Sequence, residues 1–232
     1  MAASASSSVR VALAGNPNVG KTCIFNALTG ARQHVGNYPG VTVDVATGSF
    51  GLGETRFEVF DLPGTYSLTP HSDDEREARR MLIRDRPDVV VNVIDATNLE
   101  RNLYLTVQLL EMGLNTILAL NMSDVAAARG YAIDLEKLSA LLGDVPLVPT
   151  VGHRNEGTRQ LLDAIVAVGT GARRVRRVPI AYGWEVEDEV GKLAALLEPE
   201  ADALAPREPA WLALKLVEGD ARVRDRVRAH CA

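Results

Sequence analysis

The stretch "GNPNVGKT" (15–22) separates Gly15 from Gly20-Lys21-Thr22 by four free positions. This is the spacing of a loop that cradles phosphate: glycines let backbone N–H groups turn inward, and the following helix adds its positive N-terminal end. In that chemistry Lys21 reaches the β- and γ-phosphates and the Thr22 hydroxyl binds Mg2+. Asn16, Pro17, Asn18, Val19, Gly20 and Cys23 complete the nucleotide cradle. A glycine-rich turn without function is the competing reading. The apolar strand before the loop and the helical pattern after it argue against that.

Three more stretches follow in an order that gives the loop a partner. In "DLPG" (61–64), Asp61 can hold the water shell of the magnesium and the Gly64 N–H can face the γ-phosphate. Alone, Asp-x-x-Gly is an ordinary strand-to-loop turn; behind a phosphate loop it is a γ-phosphate sensor. "NMSD" (121–124) ends an apolar run. A fixed carboxylate at Asp124 accepts both N1–H and N2–H of guanine, a donor pair that adenine does not offer. Asn121 then braces neighbouring loops and meets the other purine edge, with Met122 between the two. The same letters contain Asn-x-Ser, a glycosylation acceptor pattern that makes sense only in a secreted protein. Between the first two motifs lies "HVGNYPGVTVD" (34–44), whose Gly36, Pro39 and Gly40 describe a mobile loop. In this place Gly40 and Val41 lie beside the nucleotide, and the Thr42 hydroxyl can complete magnesium coordination when a γ-phosphate is present. Such a loop orders around the γ-phosphate and is released by hydrolysis.

The elements that must position these residues are legible as well. "VRVALAG", "TRFEVFDLPG", "PDVVVNVIDA", "NTILALN" and "PLVPT" read as strands, and continuous apolar runs among them belong to strands covered on both faces. Helical spacing places Ile24, Phe25 and Leu28 on one face, with Gly30 as the stop, and Leu103, Val107 and Leu110 on another. "DLEKLSALLG" and "TRQLLDAIVAV" are further helices. Alternating strands and helices predict an α/β domain, a mainly parallel sheet with helices on both faces. With its phosphate loop and guanine motif the domain resembles the Ras-like phosphate-loop GTPases, which implies a mostly parallel six-stranded sheet. After "ARRVRRVPIAYG" no strand signal remains. Val186, Val190, Leu193 and Leu197 share one helical face, Pro209 and Gly219 bracket a second helix, and Asp220 caps a third. The expected organisation is a disordered lead-in (1–8), a GTPase domain (9–170), a linker (171–182) and a small all-α domain (183–232), one that can stop short.

Composition narrows the class. The chain has 232 residues, 47% of them hydrophobic, and a net charge of −5, which argues against a nucleic-acid partner. Two cysteines, Cys23 and Cys231, lie far apart, which suits a reduced setting. The start "MAASASSSVR" has no apolar core of a secretory signal, and no run approaches the 18 apolar residues of a membrane span.

"GNPNVGKT", "GNYPGVTV", "DLPGTYSL", "DVVVNVIDATNLERNLYLT" and "NMSD", in this order, resemble the N-terminal cytosolic GTPase domain of the ferrous iron transport protein B (FeoB) family, and "AWLALKLVEGD" (210–220) is similar to the helical domain that follows it there. "DATNLERNLYLT" is far more specific than the generic motifs. The resemblance implies a domain that binds GTP and GDP on the cytoplasmic side of the bacterial inner membrane. A permease region of the same polypeptide, absent here, would carry Fe2+, and the helical domain would favour the GDP state. Hydrolysis would gate or regulate iron uptake, and the full-length protein is a candidate homo-oligomer.

Resemblance also sharpens the chemistry. Ras-like enzymes place a water-orienting glutamine directly after Asp-x-x-Gly; here Thr65 stands there, too short for that part, so intrinsic hydrolysis is expected to be slow. Lys21, Thr42 and Gly64 then carry catalysis with Asn18. The family resembles the potassium-activated GTPases, in which the asparagine matching Asn18 helps bind K+ beside the phosphates. The bland reading of Asn18 is a turn residue bonded to its own backbone. After the last strand, "PTVGH" (149–153) puts Val151-Gly152 where such enzymes place Ser-Ala. Contacts to the guanine O6 must then come from backbone N–H groups of Thr150, Val151 and Gly152.

Other stretches have plain readings. "HSDDERE" (71–77) is a helix start capped by Ser72 or Asp73 rather than an iron site. "RRVRR" (173–177) is a solvated linker or a contact for anionic lipid headgroups, and Trp184 and Trp211 are read as core of the helical domain. Two other functions compete with the transporter GTPase. One is a translation-factor-type switch such as a ribosome-assembly factor, which would carry a basic appendage. The other is a module that holds nucleotide and scarcely hydrolyses it.

Overall fold

Apolar β-branched runs dictate the centre of the fold. The computed structural model describes residues 8–30, 33–37, 44–69, 72–176, 180–201, 204 and 208–231. It divides the chain into two units, Met1–Leu110 with Leu114–Val178, and Glu111–Gly113 with Pro179–Ala232.

In the first unit, β1 (Ser8–Gly15), β2 (Gln33–Asn37), β3 (Asp44–Leu52), β4 (Thr55–Asp61), β5 (Val89–Asp95), β6 (Thr116–Asn121) and β7 (Leu147–Pro149) form one sheet in the order β2-β3-β4-β1-β5-β6-β7. β4, β1, β5, β6 and β7 are mutually parallel, whereas β2 and β3 join as antiparallel strands at one edge. The α/β class is as expected. The sheet has seven strands where six were expected, and two of them, β2 and β3, are not among the stretches read as strands. β2 lies in the segment read as a mobile loop, where Val35 pairs opposite Ala46 and Gly36 opposite Val45. Nothing in "QHVGN" carries a strand signal; pairing with the long β3 supplies what local propensity does not.

Six helices flank this sheet, α1 (Lys21–Thr29), α2 (Asp73–Asp85), α3 (Leu99–Glu111), α4 (Ser123–Ala128), α5 (Leu135–Leu141) and α6 (Thr158–Gly169). Alternation along the strands sorts the core into two layers. Val91, Val93, Ile117 and Ala119 pack with Ile24, Phe25, Leu161 and Ile165 on one face. Ile94, Leu118 and Leu120 pack with Ala126 and Val145 on the other, where Leu99, Leu103 and Leu110 are half-buried. Each fully buried Val, Leu, Ile or Phe among them contributes about 1.5–3 kcal/mol.

The inner face of α3 differs from the one its leucine spacing predicts. Asn102, Leu105, Thr106, Gln108 and Leu109 are buried, while Leu103, Val107 and Leu110 are only partly so. Polar residues face inward because each finds a partner. Asn92 of β5 donates to Thr106 Oγ1 at 2.8 Å, Asn102 donates to the carbonyl of Asn98 at 2.7 Å, and the Asp95 N–H donates to Asn102 Oδ1 at 3.3 Å. At α2, Ser72 and Glu75 form a reciprocal capping box over an acidic first turn. Among the described residues no group of three or more His, Cys, Asp or Glu is placed to hold a metal; His71 lies outside them.

The second unit carries α7 (Trp184–Leu197), α8 (Pro209–Val217) and α9 (Ala221–Cys231). Pro209 opens α8, whose missing N–H costs nothing at that position, and Asp220 caps α9 by accepting from Arg222 and Val223 N–H groups at 3.0 and 3.1 Å. Trp211, Leu212, Ala213 and Leu214 are buried. Trp184 is not core: it is 76% exposed at the first position of α7, outside the stripe of Val186, Val190, Leu193 and Leu197. No helix among the described residues is long and apolar enough to cross a membrane.

Candidate functional site

Parallel strands bring their C-terminal ends to one edge, and the motif residues stand there. Leu13 pairs with Asp61, Gly15 with Val93, Asp95 with Asn121 and Leu120 with Pro149, so the loops after β1, β4, β5, β6 and β7 leave from neighbouring positions. This is the edge where open α/β sheets bind ligands.

The loop after β1 has little freedom to be anything else. Gly15 has φ +155°, and a Cβ there would sit 2.4 Å from the Val93 carbonyl oxygen. Gly20 has φ +85°, and a Cβ would sit 2.3 Å from Asn121 Nδ2. Both positions therefore require glycine. Gly20 also precedes α1 without a side-chain cap; the Cys23 N–H donates to the Gly20 carbonyl at 3.0 Å, while those of Lys21 and Thr22 stay open toward an anion. Thr22 and Cys23 in that turn are exposed, and Val19 is buried beneath it. Asn16 is 3% exposed, and neither amide atom has a partner among the described residues. Pro17 and Asn18 are exposed; Asn18 adopts φ 66°, which asparagine tolerates better than most residues.

Lys21 reaches across the loop to Asp61. Its ammonium donates to Asp61 Oδ1 and, at 2.6 Å, to the Leu62 carbonyl. Burial raises the pKa of Asp61 above its ordinary value, opposed by the charge and hydrogen bond of Lys21. From here the chain crosses under the phosphate loop. Leu62 N–H donates to the Leu13 carbonyl at 2.9 Å, and Thr65 N–H to the Gly15 carbonyl at 3.1 Å. A Cβ on Gly64 would sit 3.4 Å from Pro17. Thr65 itself is buried, and its hydroxyl donates to the Ser67 carbonyl at 2.6 Å.

Sequence reasoning missed what holds the next residues. Gln108 on α3 accepts from the Leu68 N–H at 2.6 Å, and Arg101 of the same helix lies over the Tyr66 ring at 4.1 Å. Both belong to or adjoin "DATNLERNLYLT", so the stretch that is most specific in sequence is the one that grips the segment behind Asp-x-x-Gly. Its only signal was polar residues on a helix face that leucines seemed to own.

Asn121 joins the far side. Its Nδ2 donates to the Val19 carbonyl at 2.8 Å, while Oδ1 accepts from the Gly152 N–H at 2.9 Å and from Thr150 Oγ1 at 3.4 Å. Ser123 Oγ donates to the Thr150 carbonyl at 3.0 Å. Asn121 is thus buried as a hub, out of reach of any glycosylating enzyme. Met122 has φ 59° and turns the chain, so that Asp124 falls in the first turn of α4. Asp124 Oδ1 is buried without a hydrogen-bond partner, and Oδ2 lies 3.7 Å from the guanidinium of Arg154, a residue that belongs to none of the motifs.

One expectation fails here. The N–H groups of Thr150, Val151 and Gly152 are all taken within the protein: by the Leu120 carbonyl at 2.8 Å, the Glu156 carbonyl at 3.1 Å and Asn121 Oδ1 at 2.9 Å. A bridge between Val151 and Glu156 fixes that arrangement, so in this conformation none of the three is free for O6. Gly40, Val41 and Thr42 lie outside the described residues.

Residues 9–165 match the family model described as "Ferrous iron transport protein B". The chain belongs to that family. Residues 182–231 match a second model, "FeoB cytosolic helical domain". A Porphyromonas gingivalis (strain ATCC BAA-308 / W83) "Fe(2+) transport protein A/Fe(2+) transporter FeoB fusion protein" is 46% identical over 214 residues, covering 91% of this chain and 25% of the relative. Among solved structures, the cytosolic domain of the T. maritima FeoB iron transporter matches in a GDP form (40% identity, TM-score 0.86, 95% of this chain and 86% of that one). It also matches in a GMPPNP form (40% identity, TM-score 0.85, 95% and 85%). The chain spans about a quarter of the length of the FeoB relatives it matches, 25% and 27% for the first two.

Proposed function

We propose that this chain is the GTP-binding and GTP-hydrolysing part of a ferrous iron transporter, in which hydrolysis gates or regulates Fe2+ uptake. Supporting the guanine half is one juxtaposition: Asn121 ties the phosphate loop carrying Lys21 to the turn carrying Asp124. A phosphate cradle and a carboxylate suited to the N1–H and N2–H of guanine are thereby parts of one site. Membership of a family whose T. maritima relative was solved with GDP and with GMPPNP supports the same reading. The transport half rests on the family and on relatives about four times as long, whose remaining polypeptide would be the permease partner at the cytoplasmic face of the inner membrane. Residues 9–170 and 183–232 would be the GTPase and helical domains. Family membership leaves the ribosome-assembly alternative without support.

In this reading Asn16–Cys23 wrap the phosphates, and Lys21 leaves Asp61 for the β- and γ-oxygens. Thr22 hydroxyl and Asp61 carboxylate are hard oxygen donors that suit Mg2+, with Thr42 as a third donor. Bound there, the ion would offset the charge that develops on the β- and γ-phosphates. Gly64 N–H would face the γ-phosphate. Thr65 spends its hydroxyl on Ser67, which supports a slow intrinsic rate. Stimulation by K+ would act at Asn18, whose side chain has no hydrogen bond among the described residues and so stays available as a ligand. GTP turnover in K+ and Na+, with Asn18→Ala alongside, tests this: the wild type is expected to be several-fold faster in K+ and the variant indifferent. Equal rates in both salts for the wild type would remove the cation from the mechanism.

A further inference from the structure

The guanine reading assigns Asp124 two equal tasks, one oxygen for N1–H and one for N2–H. The structure does not treat the two oxygens equally. Oδ1 is buried and has no hydrogen-bond partner, whereas Oδ2 lies 3.7 Å from the Arg154 guanidinium. Arg154 ends the short 3-10 turn Gly152–Arg154 and its own N–H donates to the Val151 carbonyl at 2.9 Å, so the purine loop fixes where it stands. A second carboxylate, Glu156, lies 3.9 Å from the same guanidinium. At 56% exposure against 25% for Asp124, Arg154 borders the site from the solvent side.

We propose that Arg154 is a specificity-determining residue, a cationic partner supplied by the protein for the base-reading carboxylate, which makes the site tolerant of purines that lack the 2-amino group. The inference rests on the guanine reading of Asp124 and deepens it. Hypoxanthine keeps N1–H and loses the 2-amino donor. Where the base alone partners the carboxylate, that loss strands one oxygen in a partly buried site, and such sites reject the incomplete ligand strongly. We take the more accessible Oδ2 as the oxygen that would meet the 2-amino group; with a guanidinium 3.7 Å away it keeps a partner when that group is lost, and the penalty shrinks. The same positive charge would stand near the electropositive N2 edge of a guanine held by Asp124, and so would compress the preference from both directions.

Competitive displacement of a fluorescent GDP analogue by GDP and by IDP tests this on the whole chain. Wild type is expected to show a small IDP-to-GDP ratio of Kd values, and Arg154→Ala a ratio about three- to tenfold larger, the range for losing a partly screened charged contact. Arg154→Lys, which keeps the charge, is expected to stay within about twofold of wild type. Raising the salt concentration should widen the ratio in wild type and leave the alanine variant unmoved. An unchanged ratio in Arg154→Ala overturns the proposal. Asp124→Asn separates the two levels, since an amide there should exchange GDP for XDP preference. If that variant binds GDP as wild type does, the guanine reading itself falls. If it switches preference while Arg154→Ala changes nothing, only the role of Arg154 falls.

Discussion

At the base end of the site, Asn121 extends one side chain into two loops and is answered at each: a carbonyl at Val19, an amide at Gly152, a hydroxyl at Thr150. Glycine at position 20 is enforced by that same side chain. At the phosphate end, the segment Asp61–Thr69 is held by a charge pair that the proposed ligand must break, Lys21 with Asp61, and by contacts borrowed from α3. One end is fixed before ligand arrives and the other is held by contacts that can be exchanged. A switch of the proposed kind needs both: a base end that does not move would give a segment sensing the γ-phosphate something to move against.

Breaking the fixed end should cost most. Asn121→Ala leaves the Gly152 N–H and the Val19 carbonyl without their partner in a buried place, each costing about 1–3 kcal/mol. Chemical unfolding is expected to show a loss of about 2–6 kcal/mol, the two costs together, and GDP affinity should fall about 100-fold because two loops lose their common anchor. Should affinity fall while stability holds, Asn121 would be a ligand contact rather than a hub, and the contrast between the two ends would dissolve.

Gln108→Leu probes the other end. It removes the acceptor of the buried Leu68 N–H, for an expected loss of about 1–2 kcal/mol in stability. GDP affinity should change less than threefold, since no base contact is touched, while GTP turnover slows. Equal damage to GDP binding would mean that the segment behind Asp-x-x-Gly supports the base end as well.

How far the sequence reached follows the same division. Ile24, Phe25 and Leu28 declared the buried face of α1, and "PDVVVNVIDA" declared a central strand, because burial of apolar surface is written in residue type and period. Gly15 and Gly20 were legible through spacing as positions that only glycine fits, and the structure gathers Lys21, Asp61 and Asp124 at the strand ends where the motif spacing sets them. What escaped was pairing between distant polar residues. Asn92 with Thr106, Gln108 with Leu68 and Arg154 with Asp124 are ordinary letters until the fold sets them side by side. β2 escaped for a related reason: an edge strand with little propensity of its own depends on its neighbour. The three amides at 150–152 were assigned to O6 because one sequence cannot reveal that the protein has already used them.

The smallest expected effect is also the most pointed. Arg101 stacks on Tyr66, two residues beyond Gly64, with Tyr66 39% exposed. An exposed cation–π contact contributes about 0.5–1 kcal/mol, so Arg101→Ala should shift the unfolding midpoint only slightly. Turnover is the sensitive readout, because the contact holds the ring on one side of a segment that, in the proposed function, moves around the γ-phosphate. Arg101→Ala and Tyr66→Leu are each expected to change kcat about two- to threefold while leaving GDP affinity unmoved, and the double variant should do no more than either alone. Tyr66→Phe keeps the ring face and should behave as wild type. Additive effects would mean that Arg101 and Tyr66 act separately, and the grip of α3 on the phosphate-sensing segment would then reduce to Gln108.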